Sequence, residues 1–548
     1  MHSQFLRQRI VWSVFALTTA AVRAEQPSSC VSLMTFKSPA VEISKATPIA
    51  AGSIEPILGN ETRTAPFPAY CRVEGVINRR TGVGGEEFGI NFALALPDNW
   101  NGDFLMQGGG GTNGVVLPPL ALNAAGDTPG LIRGFAVVST DSGHKSHHPG
   151  FDFDFVRDQQ AYLDFAYLAN AEVAALAKEI IAQYYGKPAR HSYFSGCSTG
   201  GREGMILSQR YPTVFDGIIS GDPVMRRGLS YLAIDRWIPV AFNQIAPKDA
   251  DGKPIISLAI TDHDRKLLMD ALLKQCDPKD GLADGMISDP LGCDFDPAVL
   301  TCREGRTESC LVAEKVAAIK KAMGGPKTSE GLQIYPGFLY DTGITASSGT
   351  RGILTPGPGR FGPATTDMEV DVEKEALRGL QQGYPLPFPP PCPPTCPPSE
   401  QGPQLARVAW AGAQPLTDSM STNLTTFSAH GGKLIFYHGV SDPFFSALDT
   451  LGYYKDMAAA NGGLEDVSKW SQFYFVPGMG HCGGGQALDR FDLLGAMVNW
   501  VEKGSIPTSV IATGQAFPGR SRPLCPYPKH AQYKGQGDTE DAKNFECR

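Results

Sequence analysis

Residues 192–207 read SYFSGCSTGGREGMIL, a short apolar run that passes through glycines into a helical pattern. The turn contains Gly196, Ser198 and Gly200 in a G-x-S-x-G arrangement. Glycines two residues before and after a serine leave room for a strained strand–turn–helix connection, which lifts the serine Oγ out of a sheet at a helix N-terminus. We therefore predict that Ser198 is a nucleophile. The alternative is a structural loop, because this chain has 62 glycines.

A nucleophilic serine needs a general base and an acid that orients the base. In α/β-hydrolases the acid and then the histidine follow the serine along the chain, each after a strand. An apolar run ending at Tyr437 leads into Asp442, and another ending at Val476 leads into His481. We predict Asp442 as the acid and His481 as the base; the alternatives are an Asp-Pro turn and an ordinary loop histidine. A cluster of three histidines that lies before the serine is interpreted as loop structure: His144, His147 and His148.

A cysteine adjoins two of the predicted catalytic residues. Cys197 precedes Ser198, and Cys482 follows His481. If Ser198 Oγ and His481 Nε2 lie within hydrogen-bond distance, their chain neighbours can approach closely enough to form a disulfide. We therefore predict that a Cys197–Cys482 bridge joins the two catalytic loops.

A glycine-rich stretch, residues 107–114, follows the apolar run 104–106. Acyl transfer requires hydrogen-bond donors for the developing oxyanion, and α/β-hydrolases take one from such a loop and one from the residue after the nucleophile. We predict the backbone amides of Thr199 and Gly111 as these donors, with Gly110 as the alternative within the loop. A phosphate-binding loop would also be glycine-rich, but the lysine followed by Ser/Thr that ends such a loop is missing from this stretch.

The bulk composition is that of a globular protein with a large core. The chain has 548 residues, of which 42% are hydrophobic and 19% charged. Because single cores stop growing at roughly 250–300 residues, we expect a core with a large insertion or a second domain. The net charge of −8 and the lack of a long Lys/Arg run argue against a nucleic-acid partner.

Strand and helix patterns alternate in the first part of the chain and again near its end. This alternation predicts an α/β fold with a mainly parallel sheet, formed by residues 25–223 and 423–548. The predicted strands are 88–96, 104–106, 134–140, 192–194, 433–437 and 471–476, and the predicted helices are 160–185 and 487–503. Residues 224–422 hold few clear strands and a proline-rich tract with Cys392 and Cys396, so we interpret them as an inserted domain.

The first 24 residues have the pattern of a cleaved signal peptide. Arg7 and Arg9 precede an apolar stretch over residues 10–21, and residues 22–24 read VRA, small enough at the outer positions for a signal peptidase. A membrane anchor is the alternative, but the stretch is shorter than the ~20 residues that a span needs. We expect a secreted or periplasmic protein without a stable membrane anchor, in which the 12 cysteines form disulfides.

An acidic loop lies within the predicted insertion. Residues 276–289 read CDPKDGLADGMISD. The carboxylates of Asp277, Asp280 and Asp284, together with the carbonyls of Leu282 and Met286, offer the oxygen shell that Ca²⁺ prefers. The spacing is not that of an EF-hand. We predict a structural calcium ion here, with a solvated acidic turn as the alternative.

Several stretches together resemble the tannase and feruloyl esterase family. They are residues 196–201 (GCSTGG), 438–442 (HGVSD), 480–482 (GHC), the acidic loop from Asp277, and 522–528 (RPLCPYP). The resemblance covers essentially the whole chain after the signal peptide. It implies an α/β-hydrolase core (25–223 and 423–548), a lid domain inserted before the acid (224–422), and structural calcium in that lid. It also implies four further disulfides: Cys30–Cys71, Cys276–Cys293, Cys302–Cys310 and Cys525–Cys547.

Members of this family cleave esters of aromatic acids, including galloyl and feruloyl esters. The resemblance therefore implies a serine carboxylic ester hydrolase of the feruloyl esterase or tannase type, which acts on small hydroxybenzoic or hydroxycinnamic esters through an acyl-enzyme on Ser198. One bacterial branch hydrolyses mono(2-hydroxyethyl) terephthalate, and residues 200–205 (GGREGM) and 445–450 (FSALDT) resemble it. Thr199 stands where that branch carries glutamate. An esterase of that branch stays open as the alternative.

Phe444 and Phe445 adjoin Asp442 and are candidates for an aromatic wall of the acyl pocket, although core packing would explain them as well. Two other functions stay open at this point. A serine peptidase would share the catalytic triad, and a non-catalytic calcium-dependent binding protein would not need it. Hydrolysis that depends on Ser198 separates an enzyme from a binding protein, and the choice of substrate separates the two enzymes.

Overall fold

The computed structural model describes residues 29–52, 66–147, 152, 154–303, 309–327, 331–347, 351–355 and 414–548. The predicted signal peptide (1–24), His148, and the proline-rich tract with Cys392 and Cys396 lie outside these ranges. No helix inside them has the length and apolar character needed to cross a bilayer.

A mixed sheet runs through the centre of the molecule. Its strands are β1 Val41–Ile49, β2 Tyr70–Thr81, β3 Glu87–Pro97, β4 Phe104–Gln107, β5 Ala136–Thr140, β6 Ser192–Cys197, β7 Gly217–Gly221, β8 Lys433–Gly439 and β9 Ser471–Val476. They form nine strands in the order β1-β2-β3-β5-β4-β6-β7-β8-β9. The six strands from β5 to β9 in this order are parallel, whereas β1, β2 and β3 join them through antiparallel pairs.

Smaller strands lie near the end of the chain: β10 Arg490–Phe491, β11 Val510–Thr513, β12 Arg522–Leu524, β13 Ala531–Tyr533 and β14 Phe545–Cys547. The first three form one sheet and the last two another.

The α-helices cover the sheet and build the insertion. Within the described ranges they are α1 Gln159–Leu163, α2 Ala169–Tyr185, α3 Thr199–Arg210, α4 Arg227–Leu232, α5 Ile238–Asn243, α6 Asp262–Cys276, α7 Ala313–Met323, α8 Gln414–Thr417, α9 Thr425–Ala429, α10 Ala447–Ala460, α11 Leu464–Val467 and α12 Leu493–Lys503. π-Helical turns, Asp164–Leu168 and Ala233–Trp237, join α1 to α2 and α4 to α5. Short 3₁₀ helices are Cys30–Thr35, Val83–Gly85, Asp154–Arg157, Ile256–Leu258, Asp277–Asp280, Pro297–Leu300, Thr342–Thr345 and Ala542–Asn544.

Two elements begin later in the chain than predicted. The predicted helix 487–503 begins only at Leu493, because the Asp492 side chain accepts the N–H of Gly495 as an N-cap and the preceding residues pair with β11 as strand β10. The predicted strand 134–140 begins at Ala136, since Gly134 and Phe135 donate their N–H groups to carbonyls of a preceding turn. Both boundaries depend on local hydrogen bonds rather than on hydrophobic periodicity.

Two buried clusters lie on opposite faces of the sheet, because successive side chains of a strand point in opposite directions. Phe194 and Phe436 belong to the cluster that α2 and α10 cover. Their neighbours Tyr193 and Ile435 belong to the cluster on the other face, which α12 covers with Trp500. The carboxyl ends of the parallel strands are thereby held in fixed positions at one edge of the sheet.

The chain leaves the sheet after β7 and returns at β8, which is hydrogen-bonded beside it. Helices α4 to α7, which lie between these strands, pack around a buried cluster of their own that includes Phe242, Leu268 and Ile319. Helix α6 begins with a capping box, in which Thr261 Oγ1 accepts the N–H of Asp264 and the Asp264 carboxylate accepts the N–H of Thr261. The lid boundaries 224–422 stay a prediction, because residues 356–413 lie outside the described ranges.

The contact between α3 and β7 generates a test of packing. A Cβ on Gly201 would overlap the carbonyl oxygen of Gly221 and lie 2.9 Å from the Cα of Pro223. Because backbone atoms cannot give way cheaply, we expect Gly201→Ala to lower the free energy of unfolding by about 2–4 kcal/mol. The matched control is Gly452→Ala in α10, where a Cβ meets nothing within 4 Å.

For Gly452→Ala we expect a gain of about 0.5–1 kcal/mol, because alanine has the higher helix propensity. Urea denaturation of both variants provides the measurement. Equal effects of the two substitutions would contradict the packing argument.

Candidate active site

Ser198 occupies a sharp turn between β6 and α3. Its backbone has φ 64° and ψ −122°, a conformation that is costly for a residue with a side chain and typical of functional sites. The Ser198 N–H donates to the carbonyl of Gly221 at 3.0 Å. Gly196 and Gly200 permit the turn, since a Cβ on Gly196 would lie 2.6 Å from the carbonyl of Gly200. This is the geometry of a nucleophile elbow.

Asp442 and His481 lie on the loops after β8 and β9 and form a hydrogen bond. His481 Nδ1 is 2.7 Å from Asp442 Oδ2. The other oxygen of the buried Asp442 carboxylate accepts the N–H groups of Phe444 and Phe445 at 2.8 and 3.1 Å. Because an ionised carboxylate only accepts hydrogen bonds, Nδ1 carries the proton and Nε2 is the nitrogen that can accept one.

A disulfide joins the two loops that carry the serine and the histidine. The Cα atoms of Cys197 and Cys482 are 6.0 Å apart although the residues are separated by 285 positions in sequence. Ser198 and His481 are the direct chain neighbours of these cysteines, so the bridge ties together the two loops that carry them. The other predicted pairings are also the pairings in the structure: Cys30–Cys71, Cys276–Cys293, Cys302–Cys310 and Cys525–Cys547.

Neighbouring charged groups shift the pKa values of Asp442 and His481. Burial acts to raise the pKa of Asp442, but the nearby His481 and His438 rings outweigh burial and hold the pKa of Asp442 below its ordinary value. Burial acts to lower the pKa of His481, and the carboxylates of Asp442 and Asp222 together leave the pKa of His481 above its ordinary value. His481 is therefore a stronger base than a free imidazole.

Asp222 is a site residue that the sequence analysis missed. It directly follows β7 and is fully buried. Its carboxylate accepts the N–H of Gly439 at 2.6 Å and the N–H of Cys482 at 2.7 Å. The signal for it was its place in the chain: it follows a parallel strand, and residues at the carboxyl ends of parallel strands meet at one edge of the sheet.

His438 is a second missed residue and lies behind Asp442. Its Nε2 is 3.1 Å from the carbonyl oxygen of Phe445 and 3.5 Å from Asp442 Oδ2, and its Nδ1 is 2.9 Å from Thr450 Oγ1. Since a carbonyl only accepts, Nε2 carries the proton in the neutral ring. His438 therefore points a donor toward the acid without taking part in the bond to His481.

The glycine-rich loop lies against the start of α3. Its Gly109 donates its N–H to Glu203 at 2.9 Å, and its Gly111 carbonyl accepts the hydroxyl of Thr199. The amides of Gly110 and Gly111 donate to no acceptor in the part of the chain described. Thr199 is the first residue of α3, so its N–H also has no partner within the helix. The predicted donors Thr199 and Gly111 are thus neighbours beside Ser198, and their role at an oxyanion stays a prediction.

Glu203 fixes this loop and was also missed from the sequence. It is buried, and its carboxylate accepts from Gly109 N–H, from Asn113 Nδ2 at 2.6 Å and from Ser142 Oγ at 3.2 Å. From the sequence alone, a glutamate one turn into a helix is expected at the surface, because the sequence does not show which loop covers it. Glu203 therefore holds the glycine-rich loop against helix α3, which begins directly after Ser198.

The predicted aromatic pair lies against the base. The ring centroids of Phe444 and Phe445 are 5.1 and 5.2 Å from that of His481, both at steep angles. Phe445 is buried, and Phe444 packs against the buried cluster of the insertion. The pair therefore packs against both His481 and the buried core, and its role as a wall of the acyl pocket stays a prediction.

His144 and His147, the two described histidines of the earlier cluster, are loop residues. His144 is buried and its ring stacks on Phe155 with centroids 3.6 Å apart, whereas His147 is exposed. Burial lowers the pKa of His144 to about 3. His144 is thus a neutral packing residue in this fold.

The acidic loop buries two of its carboxylates. Asp277 accepts the N–H groups of Asp284 and Gly285 at 3.1 and 2.8 Å, and Asp280 accepts two other backbone N–H groups. Burial raises the pKa of Asp277, and it raises that of Asp280 to about 6. Because it is costly to ionise a buried carboxylate, a bound cation would compensate for the charge of these side chains. Carboxylate oxygens are also the ligands that calcium prefers.

Of the remaining predicted calcium ligands, two carbonyls agree with a calcium site and the carboxylate of Asp284 conflicts with it. The carbonyls of Leu282 and Met286 accept no hydrogen bond from the residues described, so they are available. Asp284, however, forms ion pairs with Arg520 and Arg522, and the three carboxylates do not all lie within 4.8 Å of one another. The donor chemistry fits calcium, and calcium itself stays a prediction.

The Cys197–Cys482 bridge generates a test. Replacing both cysteines by serine releases the loops of Ser198 and His481, so we expect the turnover number to fall about tenfold because catalysis depends on their alignment. The chain-entropy model sets the loss of stability at up to about 5 kcal/mol. Thermal unfolding and ester hydrolysis provide the two readouts.

The matched control for the bridge is the double serine variant of Cys302 and Cys310, a pair separated by 8 positions in the insertion. It should lose stability without losing turnover. Equal turnover in the folded Cys197/Cys482 variant and in the wild type would contradict a catalytic role for the bridge.

Comparison with known proteins agrees with this geometry. The family model described as "Tannase and feruloyl esterase" matches residues 71–548. Mono(2-hydroxyethyl) terephthalate hydrolase of Piscinibacter sakaiensis is 36% identical over 533 residues, which are 88% of this chain and 85% of that protein. Feruloyl esterase B of Aspergillus niger is 28% identical over 472 residues, 82% of each protein.

The solved structure of feruloyl esterase B from Aspergillus oryzae matches with a TM-score of 0.72 at 24% identity, covering 95% of this chain and 99% of that one. The match shows that the two share a fold, that of an α/β-hydrolase. With a family model that covers most of its length and a relative at 36% identity, the chain belongs to the tannase and feruloyl esterase family of ester hydrolases.

Proposed function

We propose that this esterase cleaves small esters of aromatic carboxylic acids through an acyl-enzyme on Ser198. The observation that carries the proposal is the arrangement at the carboxyl ends of β6, β8 and β9. There Ser198 lies in a strained turn, its neighbour Cys197 is bridged to Cys482 on the loop of His481, and His481 is hydrogen-bonded to the buried Asp442. A serine, a histidine and an acid in this relation perform acyl transfer.

The first half-reaction follows from the tautomer of His481. As Ser198 Oγ attacks the ester carbonyl, His481 Nε2 accepts the serine proton and Asp442 stabilises the imidazolium through Nδ1. The amides of Thr199 and Gly111 donate to the oxyanion. The imidazolium then protonates the departing alcohol, and the acyl group stays on Ser198.

The second half-reaction repeats these steps with water as the nucleophile. His481 accepts a proton from water as its oxygen attacks the acyl carbonyl, and the proton then returns to Ser198 Oγ as the acid leaves. The raised pKa of His481 means that both half-reactions fail on the acidic side at a higher pH than an ordinary histidine would give.

The aromatic preference rests on two supports. Phe444 and Phe445 place rings about the base, and relatives are named for feruloyl esters and for mono(2-hydroxyethyl) terephthalate. We propose hydroxybenzoic or hydroxycinnamic acyl groups as the main substrate class. The 36% identity to the terephthalate ester hydrolase favours that substrate as the second candidate.

We further propose that the enzyme acts in an oxidising compartment, either outside the cell or in the periplasm. The support is the set of five disulfides in the described residues, because such bonds persist only outside reducing cytoplasm in most organisms. The predicted signal peptide agrees with this location.

Initial hydrolysis rates on methyl gallate, methyl ferulate, mono(2-hydroxyethyl) terephthalate and p-nitrophenyl acetate test the function. We expect at least one aromatic ester to exceed the acetate in kcat/KM. Ser198→Ala should lower every rate by about 10³-fold or more, because it removes the nucleophile. Ser505→Ala, at an exposed serine, is the control and should leave all rates unchanged.

Each alternative has its own outcome in this assay. Hydrolysis that survives Ser198→Ala would overturn the proposed nucleophile. Failure on all four esters together with cleavage of peptides would assign a serine peptidase, and failure on both classes would leave a calcium-dependent binding protein.

We propose that the acidic loop binds one structural calcium ion through Asp277, Asp280 and Asp284 and the carbonyls of Leu282 and Met286. Removing the ion with a chelator should lower the melting temperature by about 5 °C, since a bound ion stabilises only the folded state. Asp280→Asn should abolish this sensitivity. Asp262→Asn, at an aspartate whose side chain is 95% exposed, is the control and should retain it. A melting temperature that changes neither with the chelator nor with added calcium would refute the site.

A further inference from the structure

Residues Gly221 and Asp222, at the end of β7, contact all three segments that carry the triad. The Gly221 carbonyl accepts the N–H of Ser198 at 3.0 Å, and the Asp222 N–H donates to the carbonyl of Tyr437 at 2.9 Å, five residues before the acid. The Asp222 carboxylate bonds to the loop of the acid at Gly439 and to the loop of the base at Cys482, the residue after His481.

The Asp222 carboxylate also lies close to His438 and to the disulfide. Its Oδ1 is 3.7 Å from His438 Nε2, and its Oδ2 is 3.4 Å from the sulfur of Cys197, which carries no proton because it is in the disulfide. Single oxygens of Asp222 and Asp442 and a ring nitrogen of His481 lie within 4.8 Å of one another. A second carboxylate therefore stands beside the catalytic imidazole, in addition to Asp442.

The groups that face His481 are the carboxylates of Asp442 and Asp222 and the ring of His438; those that face Asp222 are His438, Asp442 and His481. Full burial raises the pKa of Asp222 to about 6, and the neighbouring imidazoles oppose that rise. Asp222 is therefore ionised at neutral pH. Its charge favours the protonated form of His481, which is the form that acyl transfer generates.

We propose that Asp222 is a positioning residue for catalysis: its two carboxylate oxygens fix the loops of Asp442 and His481 relative to each other, and its negative charge stabilises the His481 imidazolium. The inference rests on the proposed function, because it needs His481 to act as the base. It adds a fourth side chain to the predicted triad without direct contact with the substrate.

Asp341 provides a matched control. It is also fully buried, and burial raises its pKa to about 6. Its carboxylate accepts from Ser441 Oγ at 2.9 Å and from Gly478 N–H, so it too holds the loops of the acid and the base. Asp341 does not belong to the group of Asp222, Asp442 and His481, whose oxygens and ring nitrogen lie within 4.8 Å of one another. A change at Asp341 thus reproduces the loss of loop contacts without the loss of charge at the base.

The experiment compares Asp222→Asn with Asp341→Asn in the full-length protein. For Asp222→Asn we expect kcat/KM for p-nitrophenyl acetate to fall by about 10- to 100-fold, and the acidic limb of its pH profile to move down by about 1 pH unit, because the imidazolium loses a stabilising charge. For Asp341→Asn we expect a lower melting temperature and an acidic limb at the wild-type pH. The rate at which a fluorophosphonate labels Ser198, measured across pH, gives the same limb without an ester substrate.

The outcomes separate this inference from the proposed function. If the wild type neither hydrolyses esters nor reacts with the fluorophosphonate, the proposed function fails. If the wild type reacts and Asp222→Asn keeps its acidic limb, only the inference is overturned. Asp222→Ser, which leaves space for water, is the second variant; if neither variant folds, Asp222 is a folding residue and the catalytic role is overturned.

Discussion

The covalent bond between Cys197 and Cys482 is the constraint on which the rest of the site depends. The serine and the histidine follow different strands and are separated in sequence by the whole insertion, so chain connectivity alone cannot align them. The bridge joins the loops of Ser198 and His481 through the two cysteines that are adjacent to them in sequence. A covalent bond therefore limits how far the proposed nucleophile and the proposed base can move apart.

The same edge of the sheet holds three fully buried carboxylates, Asp222, Asp341 and Asp442. A buried negative charge is costly unless hydrogen bonds and opposite charges compensate for it. Here the compensation comes from backbone N–H groups of the catalytic loops and from the rings of His438 and His481. The hydrogen bonds that compensate for these buried acids therefore also order the loops on which the proposed acyl transfer depends.

Much of this arrangement could be predicted from the sequence, because it is encoded locally. The elbow follows from glycine spacing around Ser198, and the order of strands singled out Asp442 and His481. Asp222, His438 and Glu203 could not be found in this way, because each depends on which loop covers it after folding. The start of α12 was misplaced for a related reason: Asp492 caps a helix in a stretch whose apolar pattern continues on both sides of it. The half-exposed edge strand β1 has no clean alternation to reveal it.

The neighbouring positions of β7 and β8 have a consequence for how this architecture can diversify. The insertion leaves and re-enters the sheet through adjacent parallel strands, which lie about 5 Å apart. Because the strands are parallel, the insertion leaves at the carboxyl end of β7 and re-enters at the amino end of β8, so a segment that replaces it must span the length of these strands to keep the register of the sheet. Such an exchange would remove Asp341, which belongs to the insertion and whose carboxylate accepts hydrogen bonds from Ser441 and Gly478. A transplanted segment must therefore bring its own buried acid to the junction, which limits the pool of acceptable donors.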